Sequence, residues 1–154
     1  MVRLFCDLDG VLADFDGYYR RIYGETCAAS EFKHGGQIIW DRITPSFYDD
    51  VPMLPDAHEL WVHIARHQPA ILTGIHSRVV NLRCQKRAWV DRLISPAVEV
   101  ICCKAHEKCA HAQPGDILID DRPQFKSLWE DAGGVWITHE NARDTIAQLR
   151  MMGW

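Results

Sequence analysis

Short apolar runs recur along this chain with the length expected of buried strands. Val2, Leu4, Phe5 and Cys6 form the first run, whose composition is typical of a strand buried on both faces of a parallel sheet. Four further runs follow it. The pattern predicts strands near Val2–Leu8, Ala70–Thr73, Val98–Cys102, Ile117–Asp120 and Val135–Thr138.

Helical periodicity fills most of the intervals between these strands. Ala57, Leu60, Trp61 and Ile64, for example, recur at helical spacing and form one apolar stripe. The alternation of strands and helices predicts an α/β fold, a Rossmann-like three-layer arrangement with a parallel sheet and helices on both faces. Helices are expected near Ala57–His67, Ser77–Ile94, Gln124–Asp131 and Ala142–Met151.

Residues 15–55 depart from this alternation. They begin as an amphipathic helix and then pass through the weakly patterned segment Thr26–Gln37. We therefore predict a core of residues 1–14 and 56–154, with residues 15–55 inserted after the first strand as a small helical cap. An insertion at this point overhangs the carboxyl edge of the sheet, where it can act as a lid that excludes water.

A lysine interrupts the apolar stripe of the predicted helix Ser77–Ile94. Lys86 falls among stripe positions, and Ser77 is a suitable N-cap. A buried ammonium is costly without an anion, so Lys86 is expected to point at carboxylates or at a bound phosphate. The alternative is a lysine that extends its stem past the core to reach water. The apolar members of the stripe are Val79, Leu82, Trp89, Val90 and Leu93.

Polar groups follow three of the predicted strands directly. Asp7 and Asp9 end the first, Thr73–Gly74 the second, and Asp120–Asp121 the fourth. In open α/β sheets, ligands bind outside the carboxyl ends of the strands, so these groups are expected to converge. Clustered carboxylates need a cation to remain ionised together, and hard oxygen ligands suit Mg²⁺. The alternative for Asp7 and Asp9 is that they only cap a turn.

Composition limits the choice of partners. The chain has 154 residues and a net charge of −4, which argues against an extended nucleic-acid surface or attraction to anionic membranes. No apolar run reaches the length of a membrane span, and Arg3 precedes a strand at once, so we expect a soluble, cytoplasmic protein. Local positive charge is expected near the strand ends from Lys86, Lys104, Lys108 and Arg122.

The cysteines are expected to be reduced thiols, in keeping with that location. A zinc cluster within residues 102–111 is the alternative, but the spacing matches no common paired zinc motif. Cys102 and Cys103 would also point to opposite faces of a strand. The residues of this potential cluster are Cys102, Cys103, His106, Cys109 and His111.

Together, these motifs resemble the haloacid dehalogenase superfamily of phosphohydrolases. The resemblance rests on Asp7–Phe15, the strand ending in Thr73–Gly74, the helical Lys86 and the run Ile119–Asp121, and it extends from Met1 to about Asp131. Asp7–Phe15 and the run Gln85–Asp91 are most similar to the 5'(3')-deoxyribonucleotidase branch.

The resemblance implies a Mg²⁺-dependent phosphomonoester hydrolase that forms an aspartyl-phosphate. Asp7 would be the nucleophile and Asp9 the general acid and base. Thr73 and Gly74 would lie at the phosphate, and Lys86 would neutralise its charge. The implied Mg²⁺ ligands are Asp7, the backbone carbonyl of Asp9, Asp120 and Asp121.

Three further residues are candidates for substrate contact. Lys108 matches a basic residue that touches the substrate phosphate in the related branch, and a solvated charged turn is the alternative. Phe15 and Trp40 match aromatic positions of the branch's nucleotide pocket, although aromatic side chains in a small insertion can simply pack its core. Gly74 departs from the branch, which tends to have a small hydroxyl residue there.

Other functions stay open at this point. Sugar phosphates or a polynucleotide 3' end are alternative substrates, although a polynucleotide would favour a basic track that the net charge of −4 does not suggest. A phospho-accepting signalling domain would carry its adjacent acidic pair after the first strand, the reverse of the order here. A noncatalytic binding module would be expected to have lost Asp7 or Asp9.

Overall fold

A five-stranded, all-parallel sheet forms the centre of the protein. The structure, a computed structural model, describes residues 2–154. The strand order is β3-β2-β1-β4-β5, which confirms the predicted α/β fold. The strands are β1 (Leu4–Cys6), β2 (Ala70–Gly74), β3 (Val100–Cys103), β4 (Ile117–Asp120) and β5 (Val135–Thr138).

Seven α-helices and four short 3₁₀ helices accompany the sheet in the described residues. None of the helices within residues 2–154 is long and apolar enough to cross a membrane. The 3₁₀ helices are Phe47–Asp49, Ala65–His67, Ala105–His111 and Pro123–Phe125. The α-helices are α1 (Phe15–Tyr23), α2 (Cys27–His34), α3 (Gln37–Arg42), α4 (Ala57–Ile64), α5 (Leu82–Leu93), α6 (Lys126–Asp131) and α7 (Ala142–Met151).

Helical layers cover both faces of the sheet. Successive strand side chains alternate between the faces, so Leu4 and Cys6 join one apolar cluster and Phe5 joins the other. The first cluster also contains α4, α5 and α7, and the second contains α6 and the 3₁₀ helix before it. The predicted three-layer architecture is therefore confirmed.

The centre of the sheet brings three strand ends to one edge. β1 lies between β2 and β4, with Cys6 aligned with Ile71 on one side and Ile119 on the other. Asp7 therefore follows β1 at the level where β4 reaches Asp120. The first strand is shorter than predicted, and Val2 lies outside it with 44% of its surface exposed.

The helix predicted from Ser77 begins later, at Leu82. Asn81 precedes it in the left-handed region with φ of +56°, a conformation that interrupts a helix. Ser77 is therefore not the N-cap of this helix. Val79 is buried, so it fits the apolar stripe predicted for this helix, but it lies in the preceding turn. Leu93 lies in the helix but is 38% exposed. The predicted burial of Lys86 is confirmed, and the water-seeking alternative is wrong.

The inserted segment packs on the core through the same apolar cluster. It contains α1, α2, α3 and Phe47–Asp49, and its Tyr19 and Phe47 are buried against that cluster. A polar network fastens its helices together: Glu25 Oε1 accepts from Arg42 Nη1 at 3.0 Å and Glu25 Oε2 from Lys33 Nζ at 2.7 Å. The division into a core and a cap at residues 15–55 stays a prediction.

Candidate active site

Three carboxylates meet at the carboxyl edge of the sheet. Asp7 follows β1, Asp120 ends β4 and Asp121 comes next. One oxygen of each lies within 4.8 Å of the others, and Asp7 and Asp120 are almost completely buried. The predicted convergence of these residues is therefore confirmed. Asp7 is held in place because its Oδ1 accepts a hydrogen bond of 2.8 Å from the Leu8 backbone N–H.

Lys108 lies between two of these carboxylates. Its Nζ is 2.9 Å from Asp7 Oδ2 and 2.6 Å from Asp120 Oδ2, and its side chain is 3% exposed. The alternative of a solvated charged turn is therefore wrong. Burial by itself would raise the pKa of Asp7, but the charges of Lys108, Arg122 and Lys86 outweigh burial and lower it. Burial would lower the pKa of Lys108, yet Asp7 and Asp120 raise it.

The positive groups of the protein do not fully offset the negative charge of the other two carboxyls, Asp120 and Asp121. Burial, followed by repulsion from Asp7, raises the pKa of Asp120 to about 6 and that of Asp121 to about 7. Within residues 2–154, the buried Asp121 Oδ1 has no hydrogen-bond partner. An unpaired buried oxygen beside two further carboxylates is what a hard divalent cation fits, and three oxygen donors suit Mg²⁺.

Gly10 allows Asp121 to reach this cluster. A Cβ on Gly10 would lie 2.2 Å from Asp121 Oδ2, and its backbone φ of +76° strains any other residue. The glycine after Asp9 therefore does more than turn the chain. It leaves space for a carboxylate from another strand.

Asp9 has different surroundings from Asp7. Its side chain is 27% exposed and lines the cleft above the sheet edge. Lys86 Nζ donates to Asp9 Oδ2 at 2.6 Å, and the Tyr48 hydroxyl lies 2.8 and 2.9 Å from the two carboxylate oxygens. A carboxylate that is fixed from behind and open in front can exchange a proton with a bound ligand.

Lys86 is bound to protein groups on every side. Besides Asp9, its Nζ donates to Thr73 Oγ1 at 2.9 Å and to the Gly74 carbonyl oxygen at 2.5 Å. An ammonium has three N–H donors, and all three are used. The expectation that Lys86 points at carboxylates is confirmed. Thr73 is fully buried, and neither Thr73 nor Lys108 lines the cleft.

A cleft of about 950 Å³ separates the sheet edge from the inserted segment. Phe15 and Trp40 both line it. Phe15 also packs against Phe47, with ring centroids 5.4 Å apart, and Trp40 stacks flat on His76 at 4.6 Å. These aromatic side chains thus pack within the protein and also face the cleft. Other residues on its wall are Asp16, Cys27, Glu31, Ile75, Lys104, His106, Arg122 and Gln124.

Tyr48 is a site residue that the sequence pattern did not reveal. It lies in Phe47–Asp49, 39 residues from Asp9, and no periodicity connects the two. Burial and the Asp9 carboxylate raise the pKa of Tyr48 well above its ordinary value, so the hydroxyl remains a donor. The cysteines of the potential zinc cluster are free thiols. Within residues 2–154, the one group of at least three His, Cys, Asp or Glu side chains close enough to hold a metal ion is Asp7, Asp120 and Asp121.

No protein-family model matches this chain, and no curated protein sequence matches it. The site itself combines a buried carboxylate, an adjacent place for a hard cation and a second carboxylate open to a cleft. This combination suits attack on an electrophile that carries negative charge, followed by proton transfer to the departing group.

Proposed function

We propose that this protein is a Mg²⁺-dependent phosphomonoester hydrolase of the haloacid dehalogenase type. The observation that carries the proposal is the contrast between two carboxylates two residues apart. Asp7 belongs to the acidic cluster and is almost completely buried where it lines the cleft, whereas Asp9 is more open to the cleft and is fixed by Lys86 and Tyr48. A nucleophile and a separate acid are the pair that two-step phosphoryl transfer requires.

In the proposed reaction, an oxygen of Asp7 attacks phosphorus while the bond from phosphorus to the leaving oxygen breaks. Asp9, in its protonated form, gives its proton to that oxygen, and the released alcohol leaves an aspartyl-phosphate. Asp9 then takes a proton from a water molecule, which attacks the same phosphorus and breaks its bond to Asp7. Inorganic phosphate is released and both carboxyls return to their starting states.

The neighbouring groups have defined parts in this scheme. Lys108 keeps Asp7 ionised in a buried place, and Lys86 and Tyr48 orient Asp9. Mg²⁺, held by Asp7, Asp120 and Asp121, would supply positive charge that offsets repulsion between carboxylate and phosphate. The contribution of the Asp9 backbone carbonyl to that set stays a prediction.

We propose nucleotides, in particular deoxynucleoside monophosphates, as the substrates. The cleft volume of about 950 Å³ is sufficient for a nucleotide, and Phe15 and Trp40 give it aromatic walls. Sugar phosphates are the second candidate, because an open cleft admits them too. The net charge of −4 disfavours a polynucleotide substrate.

The proposal is tested by phosphate release in the presence of Mg²⁺. The panel contains deoxynucleoside 5'- and 3'-monophosphates, ribonucleotides, sugar phosphates, 3'-phosphorylated oligonucleotides and p-nitrophenyl phosphate. Asp7→Asn is expected to retain the fold and lose turnover to below detection, because an amide is a far poorer nucleophile than a carboxylate. Asp131→Asn is the matched control, since Asp131 is exposed at the end of α6.

Selective turnover of deoxynucleoside monophosphates that is absent from Asp7→Asn would support both the chemistry and the substrate. Broad turnover without preference for nucleotides would retain the chemistry and overturn the substrate. Near-normal turnover by a folded Asp7→Asn protein would overturn the covalent mechanism.

A further inference from the structure

The two buried lysines of the site are already bound to carboxylates and carbonyls. Lys86 uses its three N–H donors on Asp9, Thr73 and Gly74. Lys108 bridges Asp7 and Asp120 beneath the cleft lining. Neither ammonium therefore presents a free fork of donors to a ligand in the cleft, although a phosphate dianion has three exposed oxygens that need donors.

Arg122 is placed differently. Its side chain lines the cleft, and within residues 2–154 its guanidinium makes no hydrogen bond or ion pair. The guanidinium carbon lies 5.1 Å from the centre of the Phe125 ring, which supports one face of the group and leaves its N–H edges available. The Arg122 backbone N–H donates to Asp120 Oδ1 at 2.9 Å, so its backbone is fixed to the acidic cluster.

Arg122 shares the wall of the cleft with the proposed nucleophile. Asp7, Asp9 and Arg122 all line it, and the Arg122 guanidinium makes no ion pair with either carboxylate.

Gly74 keeps space for this guanidinium. A Cβ on Gly74 would lie 3.4 Å from Arg122 Nη2 and 3.6 Å from the Ala105 Cβ, which is van der Waals contact on two sides. A methyl group would just fit, whereas a branched side chain would displace the guanidinium. The absence of a side chain at Gly74, at the end of β2, therefore leaves the space beside which the Arg122 guanidinium lies.

We infer that Arg122 is the residue that binds the phosphoryl group in the cleft, through two parallel N–H···O bonds to its non-bridging oxygens. The inference rests on the proposed function, since it concerns the same phosphate that Asp7 would attack. Its ligand is the terminal phosphate dianion of a monoester, and Phe125 and Gly74 act as positioning residues. Planar bidentate contact with phosphate is the property that distinguishes arginine from lysine.

Binding of inorganic phosphate tests the inference without any need for turnover. Titration calorimetry with Mg²⁺ present compares wild type with Arg122→Ala, Arg122→Lys and the remote, exposed control Arg143→Ala. We expect Arg122→Ala to weaken phosphate binding by about 10- to 100-fold, the usual loss for charge-assisted hydrogen bonds. Arg122→Lys retains the charge but loses the fork and should be intermediate, and Arg143→Ala should match wild type.

A double-mutant cycle tests the role of Gly74. Gly74→Val should displace the guanidinium and reproduce the loss seen in Arg122→Ala, and the double variant should lose no more than either single variant. Additive losses would contradict a shared effect through Arg122. Thermal melts identify any variant that fails to fold.

Kinetics with p-nitrophenyl phosphate separate this inference from the proposed function. If wild type turns over and Arg122→Ala has unchanged KM and phosphate affinity, the inference is overturned and the phosphatase proposal stands. If wild type binds phosphate through Arg122 but hydrolyses no monoester, the inference stands and the phosphatase proposal falls. Failure of wild type to bind phosphate at millimolar concentration would overturn the inference outright.

Discussion

At the scale of single residues, the spacing of Asp7 and Asp9 hides a large difference in surroundings. Asp7 is 2% exposed and faces Lys108, whereas the Asp9 side chain is 27% exposed and faces Lys86, Tyr48 and the cleft. Adjacent carboxyls in unlike environments can perform unlike tasks, as acid–base and nucleophilic roles require. Both carboxyls line the cleft, although Asp7 is almost completely buried there and Asp9 is more open.

The acid role proposed for Asp9 predicts a leaving-group dependence. Asp9→Asn should lower kcat by about 10²- to 10⁴-fold for alkyl phosphates, whose alkoxide must be protonated as it leaves. The loss should be smaller for p-nitrophenyl phosphate, because p-nitrophenolate leaves without a proton. Steady-state and burst kinetics on both substrates measure this difference. An equal loss of the burst rate for both would contradict proton donation by Asp9.

At the scale of elements, the sequence predicted what is local and missed what depends on distant contacts. An apolar run that ends in carboxylates is visible in the sequence, and so Asp7, Asp9 and Asp120 were placed correctly at strand ends. The start of α5 was misplaced because buried Val79 continues the helical spacing although Asn81 breaks the helix. Apolar spacing reports burial, and burial alone does not distinguish a turn from a helix.

The network around Glu25 stabilises the inserted helices as a unit. Its carboxylate accepts from Lys33, Arg42 and Ser30, and these hydrogen bonds lower its pKa to about 2. A pKa below the ordinary value of 4.5 contributes stability that is present above pH 4.5 and lost as the pH falls through about 2.

Glu25→Gln should therefore lower the urea midpoint at pH 7, and the difference from wild type should shrink as the pH falls below 4.5. Unfolding curves at pH 7, 5 and 3.5 measure the difference, and added salt should reduce it at pH 7 because the ion pairs are accessible to solvent. Glu59→Gln on α4 is a matched control, since Glu59 is exposed and makes no ion pair in the described residues. A difference that grows on acidification would contradict this role of Glu25.

At the scale of the whole molecule, negative charge is concentrated at the point where the sheet is most buried. Asp120 and Asp121 have pKa values raised to about 6 and about 7, so without a cation these two groups bind more protons in the folded protein than in the unfolded chain between about pH 4 and 7. Their contribution to the stability of the metal-free protein is therefore expected to fall as the pH rises through that range.

Mg²⁺ should reverse this loss. The melting temperature should rise on addition of Mg²⁺, by more at pH 8 than at pH 5.5, because a ligand that binds only the folded state stabilises it. Asp121→Asn should raise the melting temperature in EDTA, since it removes one repelling charge, and should abolish most of the response to Mg²⁺. Asp131→Asn serves as the control. An equal Mg²⁺ response in Asp121→Asn would contradict a cation at this cluster.

The whole-molecule view also explains which part of the site the sequence concealed. The sheet order brings Asp7, Thr73 and Asp120 together at one edge. Any parallel α/β sheet with these residues at its strand ends would do the same. Tyr48, in contrast, reaches Asp9 only because the inserted segment returns across α5. Such a contact depends on the path of a long insertion, which local propensity does not specify.

The attachment of Tyr48 to α5 has a consequence for how this protein could change over evolutionary time. The Tyr48 backbone N–H donates to Gln85 Oε1 at 3.3 Å and its carbonyl accepts from Arg92 Nη2 at 3.1 Å, so two hydrogen bonds hold the residue on α5. Both hydrogen bonds come from residues outside the stretch between Gly24 and Thr44, so a change in that stretch leaves them in place. Under the proposed function, the cleft wall that Trp40 forms can then vary while Tyr48 still holds Asp9.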